Sequence, residues 1–240
     1  MHSISLVSFC IVLLVLIIVM ILCTLTRKLT AAASLTAGAV GLLVYLGAGY
    51  GGLLLLGAFF IMGVAATSHQ KARKAQLAGA STHPERRTPG QVLANGGVAA
   101  IASLLAWLDT SHANAYTLMM AASLASATAD TLSSELGVIY GRRHYNILSF
   151  KKEQPGPDGV VSMEGTLLGA AGALIIALLY AACFGANICI LYIAAAGILG
   201  NLADSILGAS LERKQVIGNN TVNLLNTLFA ALVAGALYLL

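Results

Sequence analysis

The chain has 240 residues, 58% of them hydrophobic and only 9% charged, with a formal net charge of +4. A soluble domain carries about 25% charged residues. The composition therefore excludes an ordinary water-soluble protein and indicates an all-α, polytopic transmembrane bundle with no soluble domain. Cys10, Cys23, Cys183 and Cys189 lie in apolar runs without C-x-x-C spacing, against a disulfide or zinc framework. The clustered Lys and Arg lack interleaved stacking aromatics, against a nucleic-acid partner.

In chain order, residues 4–25 are uncharged and long enough to cross about 30 Å of hydrocarbon. The first basic residue is Arg27. With no basic n-region, the segment reads as a retained first helix rather than a signal peptide. Seven further spans are expected at 29–47, 50–67, 91–108, 115–139, 164–182, 187–207 and 221–239. The Gly-rich string AGAVGLLVYLGAGYGG has the pattern of a short or broken helix. The polar, proline-containing AGASTHPERRTPGQ closes the third span. The chain thus divides into an N-terminal helix, 1–28, and a membrane domain, 29–240.

With eight spans, all 13 Lys and Arg fall in loops on one side: 26–28, 68–90, 140–163 and 208–220. The other side carries Asp109, His112 and little else. The positive-inside rule places the basic loops in the cytoplasm and both termini outside, for a protein of the plasma or inner membrane.

The acids are the informative residues. Asp130, Glu135, Glu164 and Asp204 lie in or at the edge of apolar spans, in ATADTLSSELG, VSMEGTLLGAAG and GNLADSILGASLER. An acid at a span centre costs about 2.5–3.5 kcal/mol by insertion scales, so such residues mark a site or a pathway. The expected orientation puts all four at the cytoplasmic level, with Asn219, Asn220, Asn223 and Asn226 in the first turns of the last span. Helical spacing groups Asn201, Asp204, Ser205, Gly208 and Glu212 in one stripe, Asn219, Asn223 and Asn226 in another, and Asp130, Ser133 and Ser134 in a third. Carboxylate, amide and hydroxyl oxygens suit a hard cation, Mg²⁺ above all. The five His, at 2, 69, 83, 112 and 144, form no cluster.

Pro-Gly-Pro-Asp-Gly at 155–159 forces a tight turn before the sixth span. Gly165, Gly169 and Gly172 leave one stripe of that helix bare. A bare helix N-terminus suits a phosphate, with Arg142, Arg143, Lys151 and Lys152 near in sequence. The plainer reading of Gly169 and Gly172 is helix packing, and that of each lone Asn is an interhelical hydrogen bond.

Four ordered strings, ATADTLSSELG, PGPDGVVSMEGTLLGAAG, GNLADSILGASLER and NNTVNLLNT, together with the basic stretch before QVLANG, resemble an integral membrane family. That family includes the plastid phytyl-phosphate kinase of tocopherol synthesis and prokaryotic relatives. The resemblance covers residues 30–240, and the loop at Ala80–Arg87 is longer and more polar than the family pattern. It implies phosphoryl transfer from a nucleotide triphosphate, CTP being expected, to an isoprenyl monophosphate held by the membrane. On this reading Asp130, Glu135 and Asp204 bind Mg²⁺ or act in catalysis. Asp158, Gly159, Glu164, Gly165, Thr166, Ser134, Asn95, Asn201, Ser205, Glu212, Asn220, Asn223 and Asn226 contact substrate or nucleotide. Lys74, Arg87, Arg142 and Arg213 hold phosphate. A cytidylyltransferase forming a CDP-lipid would use the same ligands. A transporter is the alternative of another class, against which stand the position of the acids near one face and the lack of a clear inverted repeat.

Overall fold

The structure, a computed structural model, describes residues 5–78 and 86–240. His2, His83 and most of the Ala80–Arg87 loop lie outside the described residues. The elements are α1 (Leu6–Leu25), α2 (Ala31–Ser68), α3 (Lys71–Ala78), α4 (Pro89–Leu108), α5 (Ala113–Tyr140), β1 (His144–Asn146), β2 (Val160–Ser162), α6 (Met163–Phe184), α7 (Cys189–Leu207), which runs on into a π-helical turn at Gly208–Glu212, and α8 (Asn219–Tyr238).

Straight, the 38 residues of α2 would reach about 57 Å at 1.5 Å per residue, far more than one bilayer crossing needs. The helix instead reverses at Gly49, whose φ of 61° and ψ of −152° are non-helical. This backbone is open to glycine because it has no Cβ. The two arms then lie antiparallel. Ala33 shares a cluster with Phe60, and Val40 and Val44 share one with Leu56. The Tyr45 and Tyr50 rings meet edge-on at 5.4 Å, and Lys28 Nζ at one end donates to Ser68 Oγ at the other, 2.9 Å away. The spans expected at 29–47 and 50–67 are these two arms.

Among the described residues six helices are long and apolar enough to cross a membrane: α1, α2, α4, α6, α7 with its π turn, and α8. Counting both arms of α2 and the 28-residue α5, the eight-span reading stands. α5 is the most polar long helix because it is the core. Its Ala, Ser and Thr run from Thr117 to Ala129 is almost wholly buried, and it packs against α2, α4, α6, α7 and α8. Small side chains let five neighbours approach one helix. Leu118, Met120, Leu124, Ile176 and Ile193 fill the centre.

Among the described residues the only strands are β1 and β2. They pair antiparallel, His144 opposite Ser162 and Asn146 opposite Val160, as a hairpin strap between α5 and α6. The four basic loops meet at this end of the bundle. Arg87 N–H donates to Lys28 O at 3.0 Å, Thr30 N–H to Arg87 O at 3.2 Å, His69 Nε2 lies 2.7 Å from Tyr140 OH, and Arg213 holds the strap. At the opposite end Asp109 closes the α4–α5 turn. Hydrogen bonds from Ser111 and then His112 pull its carboxyl down to about 2.

Candidate functional site

A cavity of about 290 Å³ opens at the end where the basic loops converge, between α3, α4, α5, α7, α8 and the strap. Its walls carry opposite charge.

The acid wall is built by α5, α7 and α8. Asp130 on α5 and Asp204 on α7 face one another, close enough for their carboxyls to act on each other. Asn226 Nδ2 on α8 donates to Asp204 Oδ1 at 2.6 Å. Asn226 Oδ1 in turn accepts from Ser126 Oγ at 3.1 Å, so this fully buried amide is fixed in orientation. Asn201 is buried one turn before Asp204, and Ser205 beside it donates to the Asn201 carbonyl at 3.2 Å. Asn223 lines the cavity from α8. Its Oδ1 is buried and has no hydrogen-bond partner among the described residues.

The π turn continues this wall. Asp204, Gly208 and Glu212 all face the cavity, as does Asn219 at the start of α8. π turns of this kind recur at functional sites. The strap crosses here because Gly208 and Gly159 permit it. Gly159 has a φ of 71°, and a Cβ there would overlap Ala209. Asp158 is thereby brought to the cavity, close enough for its charge to act on Asp204 and Glu212.

The basic wall comes from α3, α4 and the segment before α4. Lys74 spends its three donors inside the protein, on Ala66 O at 2.9 Å, Thr67 O at 2.8 Å and the Glu135 carboxylate. Arg87 lies over the Phe59 and Phe60 rings, 5.8 and 6.0 Å from their centroids. Burial pulls its guanidinium below the ordinary arginine value, and the nearby Glu135 charge opposes this. A second anion beside it would be favoured for the same reason. Gln91 and Asn95 extend the wall along α4. Asn95 Oδ1 is also buried without a partner among the described residues, while its Nδ2 donates to Gln91 O at 3.0 Å.

Of the residues singled out in the sequence, the cavity gathers Asp130, Ser134, Glu135, Asp158, Gly159, Asn201, Asp204, Ser205, Glu212, Asn223, Lys74, Arg87 and Asn95, with Asn226 behind Asp204. It does not gather six others. Arg213 pins the strap from outside, its Nη2 2.7 Å from Glu153 Oε2 and its Nε donating to Asp158 O. Arg142 is 89% exposed, with its backbone N–H on Glu164 at 3.2 Å. Thr166 Oγ1 donates to Ser162 O at 3.0 Å. Asn220 is exposed beside Gly90. The start of α6 is no bare phosphate cradle. The Gly165 N–H donates to the Ser162 cap at 3.1 Å. The glycine stripe faces α5, where a Cβ at Gly165 would sit 2.9 Å from Ser133 O and one at Gly169 2.7 Å from Ala129 O.

Ser133 and Asn219, members of the polar stripes, also line the cavity, as do Lys71 and Gln91, which sequence reasoning passed over as site residues. Gln91 had a signal. Thr88-Pro-Gly-Gln91 is a capping box, with both reciprocal bonds present, and it fixes the start of α4 at the cavity wall.

The donor set fits Mg²⁺, but not as a cage of three acids. Among the described residues no three His, Cys, Asp or Glu side chains gather closely enough to hold a metal, and Glu135 turns to Lys74. What remains is a neighbouring pair of carboxyls, Asp130 and Asp204, and an unpartnered amide oxygen on Asn223. Mg²⁺ is commonly held by one or two carboxylates, waters and substrate phosphates, and two carboxylates in contact repel unless a cation or a proton lies between them.

The model of the integral membrane family DUF92 matches residues 14–231. An uncharacterized membrane protein of Methanocaldococcus jannaschii is 35% identical over 194 residues, 79% of this chain and 77% of the relative. The chloroplast protein VTE6 of Arabidopsis thaliana is 31% identical over 223 residues, 88% of this chain and 65% of its own length. An uncharacterized membrane protein of Synechocystis is 28% identical over 201 residues, 81% of this chain and 77% of the relative. No solved structure matches the chain. With nearly its whole length matched, the chain belongs to the DUF92 family of integral membrane proteins.

Proposed function

We propose that this chain is a membrane-embedded kinase that transfers a phosphoryl group from a nucleotide, CTP by preference, to an isoprenyl monophosphate. The observation that carries the reading is the two-signed cavity. Asp130 and Asp204 meet on one wall and Arg87 stands on the other. A lone cation or a lone anion needs only one of these walls, whereas a metal-bound polyphosphate needs both. The resemblance to the family of the plastid phytyl-phosphate kinase and the similarity to VTE6 support the same class.

Phosphoryl transfer asks for positioning and charge stabilisation rather than covalent help from the protein. Mg²⁺, when bound, supplies charge neutralisation on the phosphate oxygens. Asn226 fixes the Asp204 carboxylate in orientation, and Asn223 and Asn95 offer acceptor oxygens to a ligand donor. Arg87, partly desolvated by the Phe rings, offers a strong field to phosphate. The acceptor is an already ionised phosphate, so no strong general base is required. With the basic loops in the cytoplasm by the positive-inside rule, a soluble nucleotide reaches the cavity from that side and the isoprenyl tail stays among lipids.

The test is purified protein in nanodiscs with Mg²⁺, labelled CTP or other nucleotides, and phytyl, geranylgeranyl and longer polyprenyl phosphates. Lipid diphosphate and CDP are expected, and Asp204→Asn should abolish both. A CDP-lipid with pyrophosphate would make the chain a cytidylyltransferase, and no lipid product from folded protein across the panel would overturn the reading.

A further inference from the structure

A second concavity lies on the strap, next to the acid-lined cavity and sharing His144 and Pro155 with it. Arg142, Arg143, His144 and Lys152 line it, together with Glu153. Glu153 does not neutralise it, because Arg213 holds that carboxylate in a two-pronged pair, at 2.7 and 3.3 Å. The other acid nearby, Glu164, accepts the Arg142 backbone N–H and stands 4.0 Å from a guanidinium that is 89% exposed. The groove therefore presents net positive charge to the outside.

The turn beside it is apolar and rigid. Asn146 is buried, and its Oδ1 accepts the amides of Leu148 and Ser149, both at 3.0 Å. Its carbonyl accepts from Phe150 N–H at 2.9 Å, and Ile147 N–H reaches Gly159 O at 3.0 Å. This frame holds Phe150 at φ 53°, a left-handed conformation that bulky residues avoid. The result is a displayed Leu148 and a Phe150 that is 79% exposed, followed by exposed Lys151 and Lys152. Ile147 is tied to Gly159, and Gly159 rests on Ala209 at the end of α7. The membrane-facing side of α7 carries exposed Leu199, Leu202 and Ile206. The turn thus belongs to the rim where the lipid-facing surface meets the basic loops.

We propose that this turn and groove form a docking site for anionic phospholipid headgroups. Leu148 and Phe150 enter the interfacial layer, and Arg142, Arg143 and Lys152 take the headgroup phosphate. Apolar residues beside clustered cations are the surface that anionic bilayers recognise. The same strap carries Asp158 to the cavity, so seating the turn would fix the cavity mouth relative to the bilayer. The inference does not depend on the kinase reading, and its test uses no turnover.

The test uses the full chain in nanodiscs, with Trp107→Phe, which removes the one native Trp, and Phe150→Trp as reporter. Emission and quenching by lipids brominated high on the acyl chain are read in phosphatidylcholine with and without phosphatidylglycerol. Quenching that deepens with phosphatidylglycerol is expected. Arg143→Gln with Lys152→Gln should weaken that dependence by about fivefold per cation removed, with the thermal unfolding of the protein unchanged. A reporter that stays unquenched and water-exposed in both bilayers would overturn the proposal, by showing that the turn faces the cytosol or another protein. Competition by inorganic phosphate as effective as the lipid would overturn it too, because the groove would then be a site for soluble phosphate.

Discussion

Asn226→Asp isolates the acid wall with little change of shape. Asn226 is fully buried and donates to Asp204 at 2.6 Å while accepting from Ser126 at 3.1 Å. The substitution keeps the acceptor for Ser126 and replaces the one donor facing Asp204 with a carboxylate oxygen. A hydrogen bond to a charged group contributes about 1.5–3 kcal/mol. Repulsion between the new carboxylate and Asp204 adds up to about 4 kcal/mol at an effective dielectric near 20. A loss of about 3–5 kcal/mol is expected, or about 6–20 °C in melting temperature for a chain of this size. The assay is thermal unfolding of purified protein in EDTA and in Mg²⁺. If the wall is a cation site, Mg²⁺ should return a larger share of stability to the variant than to the wild type, since the added carboxylate raises the charge the cation can neutralise. An Asn226→Asp protein as stable as wild type in EDTA would refute the Asp204–Asn226 contact. A destabilised variant indifferent to Mg²⁺ would refute the cation site.

Two further outcomes test other parts of the fold. Gly49→Ala should cost about 1–3 kcal/mol from backbone strain alone, because no neighbour outside its own helix and adjoining residues lies within 4 Å of the added Cβ; Gly57→Ala, equally uncrowded but helical, should be neutral or slightly stabilising, and equal melting temperatures for the two variants would refute the reversal. The hydrogen bonds of Arg213 hold the Glu153 carboxyl below its ordinary value, so the contribution of the pair to strap order is complete above about pH 4.3 and is lost as pH falls through the lower folded value. Hydrogen-exchange protection factors in residues 153–160, corrected for the intrinsic pH dependence of exchange, should therefore be flat from neutral pH to about 5 and fall below about 4, whereas Arg213→Gln should leave the strap weakly protected at every pH; a strap still protected in that variant would refute the clamp.

The spans and the level of the acids were legible because burial in a bilayer leaves a coarse signal. Twenty apolar residues or a lone Asp in a span can be read without knowing any partner. The break near Gly49 was legible as a glycine-rich string, since only glycine tolerates that backbone. The direction in which a side chain turns was not. Glu135 and Asp130 share the depth of one helix, yet Lys74 takes Glu135 while Asp204 takes Asp130. Sequence spacing along α5 carries no record of which neighbour stands opposite each turn. Arg213 misled for the same reason. Its charge suited a phosphate, and its actual partners, Glu153 and the Asp158 carbonyl, come from a strap 55–60 residues away. Gly165 misled in another way, because a bare helix surface is equally a docking face for a ligand and for a neighbouring helix, and α5 occupies it, as the packing reading of Gly169 and Gly172 expects.

The position of Lys74 decides what the cavity can bind. Had Lys74 faced inward beside Arg87, the basic wall would have served a simple anion. Had Glu135 joined Asp130 and Asp204, the acid wall would have served a simple cation. The Lys74–Glu135 pair removes one charge from each wall, so neither wall alone makes a complete ion site. A ligand that brings its own cation and its own phosphates completes both. The depth of the cavity argues the same way against transport. Beyond it, toward the Asp109 end, the centre of the bundle is filled by Leu118, Met120, Leu124, Ile176 and Ile193, all fully buried. Along that stretch the hydroxyls of Thr117 and Ser123 are spent on carbonyls of their own helix, Ala113 O and Met120 O, and opening a path would mean separating α5 from the helices it organises. Chemistry at one face needs no such opening. It asks only that a nucleotide arrive from water and a lipid phosphate from the bilayer at the same level, and the strap, α3 and the start of α8 meet there.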